Sequence, residues 1–281
     1  RKKLVKYGTW RRVKMLLRHL KIFNSNLLSK DINNKTWVDF QHYLLTAEKC
    51  YSDNYIRKVC QEFKIYVESG IREGMTFNKF EFNFISKKHS KPAIWLEREE
   101  VMDLSKVKTQ SPEEKNCLYL FLFQCFTGFG YSEAINIRDE NISKDDSGNV
   151  FIKITRQKTG KYLTIPIPKL GYMFLKRKKE YSDISRQAVN RVIKRLCKRA
   201  GIDRSIEIIK YNNNNSIIDY KPLCEVVTTH IARKTFGVQF MKTNNNISAL
   251  SHLYGHTNEV TTRIYIGWEN KELANLVNNV W

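Results

Sequence analysis

No C-x-x-C pair occurs among the six cysteines, Cys50, Cys60, Cys117, Cys125, Cys197 and Cys224. Scattered in this way, they read as buried free thiols in a reducing compartment and argue against a disulfide frame or a zinc ribbon. No signal peptide opens the chain, and no apolar run is long enough to cross a bilayer. The aromatic-rich stretch "LYLFLFQCF" is too short for that and belongs in a core. The two histidines of "HLYGH" stand four apart, but no glutamate follows His252, so the zinc-hydrolase helix is excluded and no metal is expected. There is no internal repeat. Acids are scarce: 28 Asp and Glu face 49 Lys and Arg, a formal net charge of +21.

The basic residues run along the whole chain and form no single tail, which favours a polyanion gripped over a wide surface, most simply nucleic acid. A Lys- and Asn-rich proteome accounts for part of the same excess. With 42% hydrophobic and 12% aromatic residues the chain can bury a core, and its 281 residues suit two domains. It begins at Arg1, so a fragment or processed chain with something N-terminal to it is expected.

"TWRRVKMLLRHLKIF" (9–23) places Trp10, Val13, Leu16, Leu17, Leu20 and Phe23 at helical spacing, with Lys and Arg between them. "KTWVDFQHYLLTAEK" and "SDNYIRKVCQEFKIYVESGIREG" read as further amphipathic helices, the latter opening on a Ser or Asp cap and ending on glycine. Residues 1–85 thus form a basic helical domain, and the polar stretch around Pro92 makes 86–93 a linker. Beyond it, over 94–281, helices predominate. One begins "SPEEK", with Ser111 as cap and Pro112 at its first position. "NVFIKITRQKTGKYLTIPIP" instead alternates β-branched residues about a Lys-Thr-Gly-Lys turn, a hairpin signal. The asparagine run 212–215 reads as a loop between strand-like pieces, and "NKELANLVNNVW" as a closing helix. The fold class is mainly α with a small β-sheet, an outline that suits a clamp around a duplex.

Chemistry concentrates in a few places. In "THIARKTF", His230 and Arg233 lie one helical turn apart and share a face. His256 follows Gly255, Tyr265 follows a Thr pair, and Lys158 sits at the hairpin turn. Taken singly, each has a structural explanation: an exposed helix histidine, a solvated turn lysine, a packing tyrosine.

In this order, however, they resemble the signature of the tyrosine recombinase (phage integrase) family. "THIARKTFGVQFMKTNNNISALSHLYGHTNEVTTRIYIG" is similar to its motif region. "WLEREEVMDL" and "CFTGFGYSEAINIRDENI" resemble the start of its catalytic domain, and the N-terminal part resembles its SAM-like core-binding domain, in the style of mobile elements of Bacteroides-like bacteria. The resemblance covers essentially the whole chain. It implies that Tyr265 attacks a DNA phosphate to give a 3′-phosphotyrosine. Arg233 and His256 would hold the non-bridging oxygens, His230 would assist proton handling or phosphate positioning, and Lys158 would be the general acid. It further implies no metal or cofactor, a double-stranded DNA partner, a homotetramer assembled on DNA through the C-terminal helix, accessory DNA-bending factors, and a cytoplasmic, nucleoid-associated setting. A type IB topoisomerase shares this chemistry and stands as an alternative.

Where the family carries another arginine, this chain has Gly130. Three readings stay open: a replacement peculiar to this chain, charge supplied by Arg138, Arg156 or Lys161, or a protein that binds DNA and cleaves poorly. Contacts to the DNA backbone are expected from Arg11, Arg12, Lys14, Arg18, Arg57, Lys58, Lys87, Lys88, Arg156, Lys161, Arg191 and Lys194.

Overall fold

The computed structural model describes residues 7–75, 77–78, 81–89, 91–155, 160, 162–177 and 183–267. Its described residues form two compact units. One takes the chain as far as Lys91 together with Ile208–Asp219; the other takes Pro92–Glu207 and the chain from Tyr220 onward.

The first unit is built on α1 (Tyr7–Phe23), α2 (Asn34–Leu45) and α3 (Asp53–Arg72). The Asn33 side chain caps α2 by accepting from the Thr36 N–H at 3.0 Å. Leu16, Trp37, Phe40, Leu44, Ile56, Val59, Phe63 and Val67 make the core, in which the Phe63 ring meets those of Trp37 and Phe40. The buried stripe of α1 is rotated from the one its apolar residues suggest. Leu16 and His19 are buried and Leu20 and Phe23 pack beside them, whereas Val13 and Leu17 are exposed. His19 is tolerated inside because tyrosine hydroxyls meet both ring nitrogens, Tyr55 at 2.9 Å and Tyr43 at 3.4 Å.

The asparagine run is a turn rather than an open loop. β4 (Ser205–Asn212) and β5 (Asn215–Pro222) are joined by Asn213 and Asn214, both at positive φ (50° and 62°), the backbone that a two-residue hairpin turn demands. This tip packs in the first unit. The Asn214 N–H donates to the buried Asp53 carboxylate at 2.8 Å, and the Lys87 N–H donates to the Asn214 side chain at 3.0 Å. The His89 ring stacks flat on Tyr211 at 3.8 Å. The sequence reading contains no such return of the chain.

The second unit surrounds α5 (Pro112–Thr127), whose Ser111 cap accepts from the Glu114 N–H at 3.1 Å. Cys117, Leu118, Leu120, Phe121, Leu122 and Phe123 are all buried, so this helix is apolar nearly all round and needs neighbours on every side. It finds them in α7 (Lys169–Leu175), α8 (Arg186–Arg199) and α10 (Thr229–Asn244), while α4 (Arg98–Lys106) precedes it. Buried Glu114 takes two hydrogen bonds from Arg199 of α8, at 2.8 and 3.3 Å, which hold its carboxyl below the usual range.

The short α6 (Tyr131–Ala134) leads to an antiparallel sheet in the order β1 (Ile142–Lys144), β2 (Val150–Thr155), β3 (Tyr162–Ile167). Val150 pairs with Ile167 and Thr155 with Tyr162, so Leu163, Ile165 and Ile167 all face the interior. The hairpin turn carrying Arg156, Lys158 and Lys161 lies outside the described residues. A single turn, α9 (Leu223–Val226), precedes α10; then come α11 (Ile247–Tyr254) and α12 (Glu259–Ile266). The helix expected over 270–281 lies outside the described residues. Among those residues no helix is long and apolar enough to cross a membrane.

One buried hydrogen bond fixes where α10 sits. The Leu96 N–H, ahead of α4, donates to the Thr235 hydroxyl at 2.9 Å, and both residues are buried. Thr235→Val keeps the shape but strands that N–H, so it should lower stability by about 1–3 kcal/mol, whereas Thr235→Ser should lose less. Urea unfolding of the two variants checks this.

Candidate active site

Helix α10 opens at Thr229, whose N–H donates to the Asn190 side chain at 2.9 Å, and puts His230 in its first turn. One turn later Arg233 is held by groups that the helix does not supply alone. Its Nη1 donates to the Gly128 carbonyl and to Glu133 Oε2, both at 3.0 Å, and its Nη2 to the Tyr254 carbonyl at 3.1 Å. The guanidinium also lies over the Tyr254 ring, 4.4 Å from its centre. Only 12% of the side chain is exposed. A planar fork of five donors fits three acceptors from three directions, which an ammonium group could not do.

Each acceptor is delivered by its own local device. Gly128 ends α5 at φ +71°, and a Cβ there would come within 2.5 Å of the Phe236 ring, so only glycine fits. The Phe129 carbonyl then takes a buried bond from Gln124 Nε2 at 3.0 Å, which fixes the loop. Glu133 folds back over the first turn of α6 and accepts from the Gly130 N–H at 2.8 Å. Tyr254 ends α11, with its hydroxyl donating to the Arg233 carbonyl.

After Tyr254, Gly255 turns the chain at φ +63° and presents His256. Its Nδ1 lies 2.8 Å from the hydroxyl of fully buried Thr262, which is itself 2.5 Å from Ser251 Oγ. A hydroxyl on Nδ1 sets the orientation of the ring. Three residues beyond Thr262 on α12 comes Tyr265. Its ring centre is 5.1 Å from that of His230, 5.9 Å from that of His256 and 5.6 Å from that of Tyr254. The Tyr265 hydroxyl is 3.4 Å from His230 Nδ1.

The half-buried phenol is not acidic. Burial pushes its pKa up to about 12, although the positive charge and hydrogen bonding of Arg233 pull it down; Glu133 adds a smaller upward push. One more cation is close: the Lys234 Nζ sits 5.5 Å from the centre of the Tyr265 ring.

Of the residues singled out from sequence, Tyr265, Arg233, His230 and His256 therefore converge. Gly130 borders the cluster, since a Cβ there would stand 3.2 Å from Glu133 Oε2 and 3.9 Å from Arg233 Nη1. Lys158, Arg156 and Lys161 lie outside the described residues. Arg138 is exposed and pairs with Glu140 at 3.6 Å. Arg11, Arg12, Lys14 and Arg18 are exposed on α1, as are Lys58, Lys87, Lys88 and, on α8, Arg191; Lys194 is half-buried. Arg12 is engaged by Glu62 at 3.1 Å. Arg57 is turned inward, donating to the Ser86 carbonyl at 3.0 Å and lying over Phe84.

Sequence reasoning missed Glu133, Thr262 and Lys234. Glu133 and Lys234 had faint signals, an acid three residues after Gly130 and a cation four after His230; Thr262 figured only as one of the Thr pair before Tyr265, with no role given to it. Among the described residues no group of three or more His, Cys, Asp or Glu is arranged to hold a metal ion.

Comparison with known proteins bears on the family and the fold. A profile described as the phage integrase family matches residues 94–272, and one described as the phage integrase SAM-like domain matches 1–86. No curated protein matches the chain. Among solved structures, a lambda integrase dimer bound to a COC' core site is similar at TM-score 0.67 and 14% identity, covering 94% of this chain and 89% of that one. The Tn1549 transposon integrase in complex with circular intermediate DNA gives 0.66 at 17% identity, covering 93% and 90%. The XerH site-specific recombinase on a palindromic difH substrate gives 0.61 at 14%, covering 92% and 73%. At these identities the likeness is one of fold. The family profiles span most of the sequence, and on that ground the chain belongs to the phage integrase family, the tyrosine recombinases.

Proposed function

We propose that the protein is a site-specific recombinase of a mobile element, cutting and rejoining double-stranded DNA through a 3′-phosphotyrosine. The observation that carries this reading is the meeting of one phenol, two imidazoles and one guanidinium in a single cluster. In the proposed step the Tyr265 oxygen forms a bond to phosphorus, and the bond from phosphorus to the 5′ oxygen breaks. Because the phenol stays protonated at neutral pH, its proton must leave during attack; His230 Nδ1, at 3.4 Å, is placed to accept it. Arg233 and His256 offer donors to the oxygens on which charge accumulates. Lys158 is assigned to protonate the departing 5′ oxygen. The ester conserves the energy of the broken bond, so rejoining to a new partner strand needs no ATP. A tetramer joined through the C-terminal helix, and accessory bending factors, belong to the same proposal.

Glycine at position 130 bears on rate. It leaves Arg233 as the one guanidinium in this cluster among the described residues, and Glu133 offsets part of its charge. Loss of one well-placed donor to a charged transition state costs about 3–4 kcal/mol in other enzymes, so slow cleavage is expected. The backbone at Gly130 has φ −69°, open to any residue, and an added Cβ meets only the end of the Glu133 side chain closely.

Two predictions follow from this chemistry. With a nicked duplex whose sequence was selected by binding from a randomised pool, wild-type protein should trap a covalent protein–DNA band that Tyr265→Phe abolishes while binding persists. DNA binding without any wild-type band would leave a DNA-binding module, and a band with relaxation but no strand exchange would indicate a topoisomerase. Gly130→Arg should speed single-turnover cleavage on that duplex by roughly tenfold or more, given the size of such donor effects. An unchanged or lower rate would show that position 130 does not limit the reaction.

A further inference from the structure

On α10, Lys234 follows Arg233 directly and stands four residues after His230, so His230 and Lys234 share one helix face. Tyr265 lies against that face: its hydroxyl is 3.4 Å from His230 Nδ1, and the Lys234 Nζ is 5.5 Å from its ring centre. The lysine is half-buried, and burial pushes its pKa below the ordinary value. Among the described residues its ammonium group has no carboxylate within ion-pair distance and no hydrogen bond; the face of Tyr265 is its one recorded contact.

That is an unfavourable place for a cation. Partly desolvated ammonium groups are normally paired, and a ring face returns only part of the lost hydration. Two guanidinium groups of this unit show the usual pairing: Arg199 has Glu114, and Arg233 has Glu133 and two carbonyls. A cation without an anion beside a phenol is the arrangement expected where a ligand brings the anion. On a protein of net charge +21 whose proposed substrate is DNA, that ligand is a phosphodiester.

We infer that Lys234 is a phosphate-binding residue of this site, its ammonium group taking an oxygen of the DNA phosphate that Tyr265 attacks. The inference rests on the recombinase reading for which phosphate is meant, though not for the claim that a phosphate is bound. It assigns the site a second described cation beside Arg233, where Gly130 supplies none. As a point charge on a flexible stem, Lys234 follows the phosphate as its geometry changes, while Arg233 stays fixed by its three acceptors.

Lys234→Met, with Lys234→Arg as the charge-conserving control, separates this role from a packing one. Without DNA, Lys234→Met should melt at the same temperature as wild type or higher, because an unpaired buried charge has been removed. Its affinity for the selected duplex should fall, and the slope of log affinity against log salt should become shallower by about one, the signature of one lost phosphate contact. Single-turnover cleavage should drop at least tenfold, with Lys234→Arg retaining most of it. A variant that melts lower without DNA and keeps the wild-type salt slope would overturn the inference and leave Lys234 a packing residue. The two readings fail separately. If wild type traps no covalent band, the recombinase proposal falls while the salt slope still decides Lys234. A wild-type band with equal cleavage by Lys234→Met would sink the lysine alone.

Discussion

The site depends on the way Arg233 is held. Its guanidinium ties together the end of α5 through Gly128, the start of α6 through Glu133 and the end of α11 through Tyr254, segments separated from it by 105, 100 and 21 residues. Removing any one acceptor would leave a nearly buried charge short of a partner, the situation that makes broken ion pairs costly. The same three bonds orient the fork before any substrate arrives, so no ordering is needed when it does. Glycines make the approach possible. Gly128 gives the turn that exposes its carbonyl, and Gly237, on the same helix as Arg233, leaves room for the Tyr254 hydroxyl, which a Cβ there would meet at 2.4 Å.

Around this anchor the electrostatics bear on Tyr265, the proposed nucleophile. Burial keeps the Tyr265 phenol neutral, with Arg233 opposing and Glu133 reinforcing that tendency. A phosphate entering the site would change the balance, because it brings negative charge up to Arg233 and Lys234. In this account DNA completes the active site.

How much of this was legible in the sequence follows from which interactions are local. The shared face of His230 and Arg233 is a matter of helical period, and the Ser111 cap with Pro112 is decided within four residues, so both could be read directly. The antiparallel pairing of β2 and β3 was likewise written in alternating residues about a turn. What escaped was tertiary. The stripe of α1 was misplaced because a histidine replaces an aliphatic residue at its centre, and only the hydroxyls of Tyr43 and Tyr55 make that burial tolerable. Thr262 looks like any helix threonine until Ser251 and His256 are folded against it. The asparagines at 213 and 214 read as polar loop, although their tolerance of positive φ is what lets a two-residue turn form. The pairing of Asn214 with Asp53 crosses 161 residues and has no sequence signal at all.

The central claim is that the Tyr265 oxygen becomes esterified to DNA. The most direct measurement is mass spectrometry of the covalent complex after nuclease and protease digestion. The account predicts a nucleotide attached through its 3′ phosphate to the peptide containing Tyr265. A nucleotide on any other residue, the neighbouring Tyr254 included, would contradict it.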